Sequence, residues 1–357
     1  MTLNPLTVRK LKRFRSIKRG YYSFVLLMLL IAVSLLGEMF VNNRPLIVSY
    51  EGRWHFPTYG ANLPGKTFDL DYTYETDYRE LRDKFQTEDR GNWMIMPLVP
   101  FNPNENSSYE GVFKPAPPSW MGGPEKHWLG TDTTGRDIFA RLFYGFRIAI
   151  FFSLVFMALT YLIGITVGSL MGYYGGIFDL IAQRLIEVWS NIPFLYVVII
   201  LFSVIPSTFS LPARIGMLLV VMVLFSWTSM TYYMRTATYR EKARDYTAAA
   251  VVLGAGPIRI IFNHILPNTI STIVTFMPFT VIAAISAITA LDFLGFGLPP
   301  PTPSMGELLK QGTQTLTTAP WIVSSAFAAL VLILLLVTFI GEAVREAFDP
   351  KKFTTYK

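Results

Sequence analysis

Few residues in the chain are equipped for covalent chemistry, and their spacing narrows the field further. Histidine occurs only at His55, His127 and His264, with no HExxH pair to set two imidazoles on one helical face. Cysteine is absent, which excludes disulfides, zinc–thiolate sites and thiol catalysis. Neither a G-x-S-x-G elbow nor a paired-carboxylate arrangement is present. No catalytic residue, metal site or cofactor is therefore expected. Gly60 to Thr67, GANLPGKT, carries the letters of the phosphate-binding pattern GxxxxGK[ST]. That chemistry needs a buried strand before the loop and a helix after it, so that backbone N–H groups converge on phosphate. WHFPTY and FDLDYTYETD flank the loop and supply neither, so it is not read as a nucleotide site. Two acids border apolar runs, Glu38 and Asp292. An ionisable group at membrane depth is costly unless hydrated or paired, which makes Asp292 a candidate for a substrate path; a hydrated acid at the mouth of a bundle is the equal alternative.

The elements that hold these residues are mostly apolar. Of 357 residues, 52% are hydrophobic and 15% charged, with a mean hydropathy of +0.40, which points to several membrane spans. The net charge of +7 does not imply nucleic acid, because Arg9, Lys10, Lys12, Arg13, Arg15, Lys18 and Arg19 sit just before the first apolar run, where topology explains them. Tyr21 to Phe40 is long enough to cross the bilayer and is followed by no A-x-A-like site, so an uncleaved anchor with a cytoplasmic amino terminus is expected.

From about Val41 to Arg141 the chain turns polar, with 14 acidic against 11 basic residues over Arg44 to Arg141. This is an expected extracytoplasmic insert, with short strands at Leu46 to Tyr50 and Trp93 to Met96. Ile138, Phe139, Leu142, Phe143 and Phe146 fall on one helical face with Arg136, Arg141 and Arg147 elsewhere, the pattern of an interfacial helix leading into the next span.

Further spans are expected over Ile148 to Tyr173, Val188 to Ile205 with a kink at Pro193, Ile215 to Met234, Asn268 to Leu291 with a kink at Pro278, and Trp321 to Ile340. Gly164, Gly168, Gly172 and Gly176 recur every four residues and form a stripe for close helix packing. A tight cytoplasmic turn is expected from Gly172 to Gly176, continuing to Asp179, Arg184 and Glu187. Ser226, Thr228, Ser229 and Thr231 could line a path or bond within the bundle, and the second reading is favoured. Leu298 to Pro320 is too polar to span and is expected to re-enter or cap the bundle.

Between the fourth and fifth spans lies DYTAAAVVLGAGPIRIIFNHILPN, Asp245 to Asn268. Ala248 to Leu253 favours helix, Gly254 to Pro257 breaks it, and Ile258, Ile261, Phe262 and Ile265 recur at helical spacing before Pro267 starts a further helix. Arg235, Arg240, Lys242, Arg244 and Arg259 outweigh Glu241 and Asp245, which places the segment on the cytoplasmic side.

The segment resembles the "EAA" coupling loop of ABC-importer permeases. Ala249, Ala250, Gly254, Leu266 and Pro267 stand at the matching places, Ala248 replaces the usual glutamate, and His264 belongs to the HILPN variant of peptide permeases. HWLGTDTTGRDIFARLFYGFR, GYYGG, PPTPSMG…APW and GEAVREAFDPKK are similar, in family order, to signatures of the dipeptide/oligopeptide permease family. The long insert, LDFLGFGLP and FIGEAVR look most like its Yej-type microcin C/oligopeptide branch.

The resemblance implies an all-α polytopic membrane protein with six transmembrane helices: one amino-terminal anchor, a large extracytoplasmic insert, and a five-helix permease core. The expected divisions are a basic cytoplasmic tail over 1–20, the first span over 21–41, the insert over 42–146, the core over 147–345 and a cytoplasmic tail over 346–357. It further implies a peptide-carrying inner-membrane importer with both termini cytoplasmic. Its partners would be a second permease subunit, a cytoplasmic ATP-binding subunit, an extracytoplasmic peptide-binding protein and membrane lipid, with no nucleic acid. Asp245, Ala249, Ala250, Gly254, His264, Leu266 and Pro267 would form the ATPase-coupling loop. A proton-coupled carrier and a non-transporting scaffold are the competing classes. The first needs carboxylates or histidines within spans, and the second tolerates changes in the coupling loop.

Overall fold

A computed structural model describes residues 5–88, 90–107, 114–204 and 209–349. The extreme ends of both expected tails, 1–4 and 350–357, lie outside the described residues, as does Ile205 at the end of the expected third span. The described chain is mostly helical. Among the described residues, five helices are long and apolar enough to cross a membrane, and a bent pair brings the number to as many as six.

The chain begins with α1 (Pro5–Ser16), α2 (Lys18–Leu35) and the short α3 (Gly37–Phe40), so the expected first span is broken after Leu35. Then come β1 (Ile47–Tyr50), β2 (Arg53–His55), α4 (Tyr78–Glu88) and β3 (Trp93–Ile95). The two expected strands are present, and β2 joins them in a sheet of order β2-β1-β3 with both pairings antiparallel.

Four helices follow: α5 (Ile138–Tyr174), α6 (Gly176–Ser190), α7 (Phe194–Val204) and α8 (Leu211–Lys242). Next are α9 (Asp245–Val252), α10 (Pro257–Ile260), a π-helical turn (Ile261–Ile265) and α11 (Leu266–Leu294). The chain closes with α12 (Met305–Gln314) and α13 (Pro320–Phe348).

Several boundaries differ from the sequence expectation for identifiable reasons. The interfacial helix expected before residue 148 is the first part of α5, because no proline interrupts the register between Ile138 and Tyr174 and the glycines within it keep helical backbone. The expected division between residues 146 and 147 therefore falls inside one helix, and that between 345 and 346 falls inside α13. Asp179, Arg184 and Glu187 lie on α6 rather than in a turn. The expected third span is instead the second half of a pair, α6 and α7, bent by 65° across Asn191 to Pro193. Pro193 has no N–H to give the ladder and clashes with the preceding turn, so the helix restarts beyond it.

The chain divides into two compact units. One comprises Met1–Leu27, Ala149–Pro299 and Leu332–Lys357; the other comprises Met28–Ile148 and Pro300–Val331. In the second, Val48, Phe68, Leu70, Tyr78, Leu81 and Phe85 form a core beneath the sheet. Burial pushes the Tyr78 phenol up to about 12. Gly65–Phe68, the end of the phosphate-loop look-alike, is a single 3-10 turn with no strand–loop–helix frame. The N–H groups of Gly65 and Lys66 are already donated to the carbonyls of Tyr74 and Tyr72. Those two N–H groups are therefore not available to a phosphate.

In the first unit, the glycine stripe of α5 meets α8. A Cβ on Gly164 would lie 2.7 Å from Met230 Cβ, one on Gly168 would run into the Thr231 carbonyl, and one on Gly172 would lie 2.6 Å from the Arg235 carbonyl. Gly176, the fourth of the series, has nothing near it and adopts φ +56°. Close packing therefore stops at Gly172, and Gly175 and Gly176 supply the sharp exit to α6. Thr228 and Thr231 are buried on α8, and Thr231 donates to the Trp227 carbonyl at 3.1 Å.

Candidate functional site

The segment after α8 is anchored at its base. Glu241 is buried; its carboxylate accepts the Tyr246 hydroxyl at 2.9 Å, and its carbonyl accepts the Thr247 hydroxyl at 2.8 Å. Burial and the Glu241 carboxylate push the Tyr246 phenol up. From this root α9 runs outward, with Asp245 in its first turn, where a carboxylate favours the helix dipole.

The end of α9 is a Schellman motif. Gly254 takes φ +79°, its N–H reaches the Val251 carbonyl at 2.9 Å, and the Ala255 N–H reaches the Ala250 carbonyl at 3.0 Å. Pro257 then opens α10. Sequence reasoning places a new helix start at Pro267; instead α10 passes through the π turn into α11 without a break in helical backbone. A proline at 267 removes the bond to the carbonyl four residues back, and the widened turn just before it accommodates the ring.

The two arms present different faces. Ala250 packs with Ile260 and Ile265, while Asp245, Ala248, Ala249, Gly254 and Pro267 are exposed and His264 and Leu266 half-buried. Val252 and Leu253 are each 86% exposed and Ile258 67%, so the tip of the hairpin is an apolar knob. That is more apolar surface than a loop tip needs for its own folding.

Beside this hairpin, α6 is locked to α8. Asp179 is buried, receives Arg235 Nε and Nη2 at 2.5 and 2.6 Å, and accepts the Tyr239 hydroxyl at 2.7 Å. Lys242 Nζ reaches the Tyr173 carbonyl at 2.5 Å, tying the end of α8 to the end of α5.

Asp292 is buried in the last turn of α11. Gly295 ends that helix at φ +85°, and Asp292 Oδ1 accepts the Leu298 N–H at 2.6 Å. A Cβ on Gly297 would collide with that carboxylate. At least one oxygen of Asp292 therefore shapes the Gly295 to Leu298 turn.

The second unit contains a charged cluster whose arginines, Arg136 and Arg141, sequence reasoning assigned to a membrane-surface helix. Arg141 is fully buried and Arg136 nearly so. Asp132 Oδ2 receives Arg136 Nε at 2.7 Å, Arg136 Nη2 lies 2.9 Å from Glu307 Oε1, and Arg141 pairs with the other Glu307 oxygen. Asp137 accepts the Ala140 N–H at 2.7 Å as the N-cap of α5, while its second oxygen meets His127 Nδ1 at 2.7 Å. Ser304 caps α12 by accepting from Gly306 and Glu307. The cluster closes the LGTDTTGRD loop onto α12, and among the described residues it forms no metal-binding group. The signal available in sequence was Ser304 three residues before Glu307, a capping-box spacing.

Comparison with known proteins agrees with this architecture. Residues 164–354 match the family described as "Binding-protein-dependent transport system inner membrane component". The chain is 39% identical over 350 residues to the inner membrane ABC transporter permease protein YejE of Escherichia coli (strain K12), covering 98% of each. It is 37% identical over 369 residues to the peptidoglycan transport system permease protein YejE of Agrobacterium fabrum, covering 98% of this chain and 94% of that one. It is 34% identical over 255 residues to the dipeptide transport system permease protein DppC of Haemophilus influenzae, covering 71% of this chain and 83% of that one. With its apolar spans, its glycine-packed helices and a match of this extent, the chain is a multi-pass inner-membrane protein and belongs to the family of binding-protein-dependent transport system inner membrane components.

Proposed function

We propose that the chain is one of two permease subunits of an ATP-driven importer carrying peptides or peptide-like compounds into the cytoplasm. ATP hydrolysis resides on a separate subunit, and an extracytoplasmic binding protein delivers the cargo. The observation that carries the reading is the apolar knob of Val252, Leu253 and Ile258 at the tip of a rooted hairpin. An ATPase cleft grips that knob through Asp245, Ala249, Gly254, His264, Leu266 and Pro267, while Ala250, also of the coupling loop, braces the hairpin from within.

The basic residues around the hairpin, Arg240, Lys242, Arg244 and Arg259, favour a cytoplasmic position for it, and the basic amino terminus favours the same side for both ends of the chain. ATP-driven closure of the engine displaces the hairpin, and the Gly164, Gly168 and Gly172 interface moves α5 and α8 as one body between inward and outward openings. Asp292 is proposed to border the cargo path. Peptide cargo is supported by the relatives named for dipeptide and peptidoglycan transport.

The test is uptake of labelled peptides by the complex reconstituted with its ATPase. Leu253→Asp and Gly254→Pro are expected to abolish ATP-dependent uptake with normal membrane insertion. Transport by the purified single chain, or labelling of Val252 from the extracytoplasmic face, would overturn the proposal.

A further inference from the structure

The seven basic residues before the first span count equally toward topology, yet the structure divides them into two sets. Lys10, Arg13 and Arg19 have partners within the chain, Arg19 while its side chain stays 62% exposed. Lys10 Nζ donates to Ser271 at 2.5 Å and lies 4.9 Å over the Phe348 ring. Arg13 pairs with Glu346 at 3.8 Å, and Arg19 with Glu342 at 3.1 Å. Arg9, Lys12, Arg15 and Lys18 are exposed, and none of the four has an ion-pair partner among the described residues. No acidic residue occurs before Glu38 to neutralise them.

The orientation of α1 is as informative as its charge. Phe14 and Phe24 rings are 5.9 Å apart, whereas ten residues of straight helix would separate them by about 15 Å. The chain therefore bends at Ile17, and α1 lies across the end of α2 rather than extending it. Tyr21 and Tyr22 follow directly, with Tyr22 64% exposed and the Arg15 guanidinium 5.7 Å from the Tyr21 ring. Tyrosines at the end of a span mark headgroup depth. Leu11, half-exposed, sits among the outward cations. An exposed apolar side chain ringed by cations at that depth is the pattern of a helix lying in an anionic interface.

We propose that α1, together with Lys18 at the start of α2, docks on anionic phospholipid headgroups through Arg9, Lys12, Arg15 and Lys18, while Lys10 and Arg13 clamp α1 to α11 and α13 and Arg19 ties the start of α2 to α13. The partnered set fixes the helix to the protein and the outward set fixes it to the lipid. This is independent of cargo and of the coupling hairpin.

The test uses the full chain in nanodiscs of phosphatidylcholine alone or mixed with phosphatidylglycerol. Hydrogen exchange of the α1 amides and retention of phosphatidylglycerol in native mass spectrometry are the readouts. The wild type is expected to show slower α1 exchange in the anionic bilayer and to retain phosphatidylglycerol. Each outward charge changed to glutamine should weaken retention about fivefold, an effect that high salt erases. The Lys10→Gln, Arg13→Gln variant should keep its lipid preference. Equal α1 exchange of the wild type in both bilayers would overturn the proposal, as would protection that follows an added ATPase subunit instead of the lipid. Where the Arg9→Gln or Lys18→Gln variant fails to insert, Lys12→Gln and Arg15→Gln carry the same comparison.

Discussion

Arg235 holds Asp179 with both sides of its guanidinium fork, Nε on one carboxylate oxygen and Nη2 on the other. The pair joins α8 to α6 at the point where the glycine-packed stretch of α5 ends. A bidentate pair of this kind fixes direction as well as distance, because the fork accepts the carboxylate in one plane.

Removing one partner strands the other. Asp179→Asn and Arg235→Gln are each expected to cost about 2–3 kcal/mol, below the ~3–5 kcal/mol of a fully buried pair because Arg235 remains partly hydrated. Thermal unfolding in detergent measures this, and the swapped double variant Asp179→Arg, Arg235→Asp should recover part of the loss. Single variants as stable as the wild type would show that the pair contributes nothing.

Glycines on one bundle should respond in opposite directions. Gly168→Ala places a Cβ against the Thr231 carbonyl, which is backbone and cannot step aside, so α5 and α8 must separate. Destabilisation of roughly 1–3 kcal/mol is expected, as for overpacking. Gly216, on α8, has nothing within 4 Å and ordinary helical backbone, so Gly216→Ala should gain about 0.5–1 kcal/mol through helix propensity. Melting temperatures moving in the same direction would refute the packing argument.

Asp292 can be separated into its two roles. Asp292→Asn keeps an acceptor for the Leu298 N–H, so assembly and melting temperature should hold while peptide uptake falls. Asp292→Ala removes the acceptor and should lower stability by about 1–3 kcal/mol. Unchanged uptake in Asp292→Asn would remove the residue from the cargo path and leave only the turn.

Glu38, on α3 beyond the end of the long apolar helix at Leu35, offers a pH dependence. Burial raises its pKa, but the hydrogen bond from Arg147, a backbone N–H and the Arg147 charge together outweigh burial and leave it lowered. The pair's contribution is therefore complete above the ordinary glutamate range and lost as pH falls through the lowered value. Melting curves of wild type and Glu38→Gln should converge in acid and separate near neutrality; a constant gap across that range would contradict the assignment.

Much of the architecture was legible because membrane spans and glycine stripes are local signals. Gly164, Gly168 and Gly172 show their close-packing face from spacing alone, and the Gly254 break needs only the neighbouring residues to be seen. Arg141 was misread for the opposite reason. An arginine off the apolar face of an amphipathic helix reads as a surface residue, and the approach of Glu307, 166 residues away in sequence, beside Asp132 makes its burial tolerable. The bend at Pro193 was visible as a kink, but its 65° angle depends on how α6 and α7 each pack. The knob at Leu253 was hidden because an exposed leucine and a buried one look alike in sequence.

The π turn at Ile261–Ile265 fits one residue more than an ordinary helical turn would hold. One residue corresponds to about 100° of azimuth, so side chains before and after the turn are out of phase. Deleting Asn263 would restore a uniform screw and swing Ile258 about a quarter-revolution around the axis of α11. The angular setting of the exposed tip is thus written into a single surplus residue, and homologues lacking it would present a differently aimed tip from the same helices.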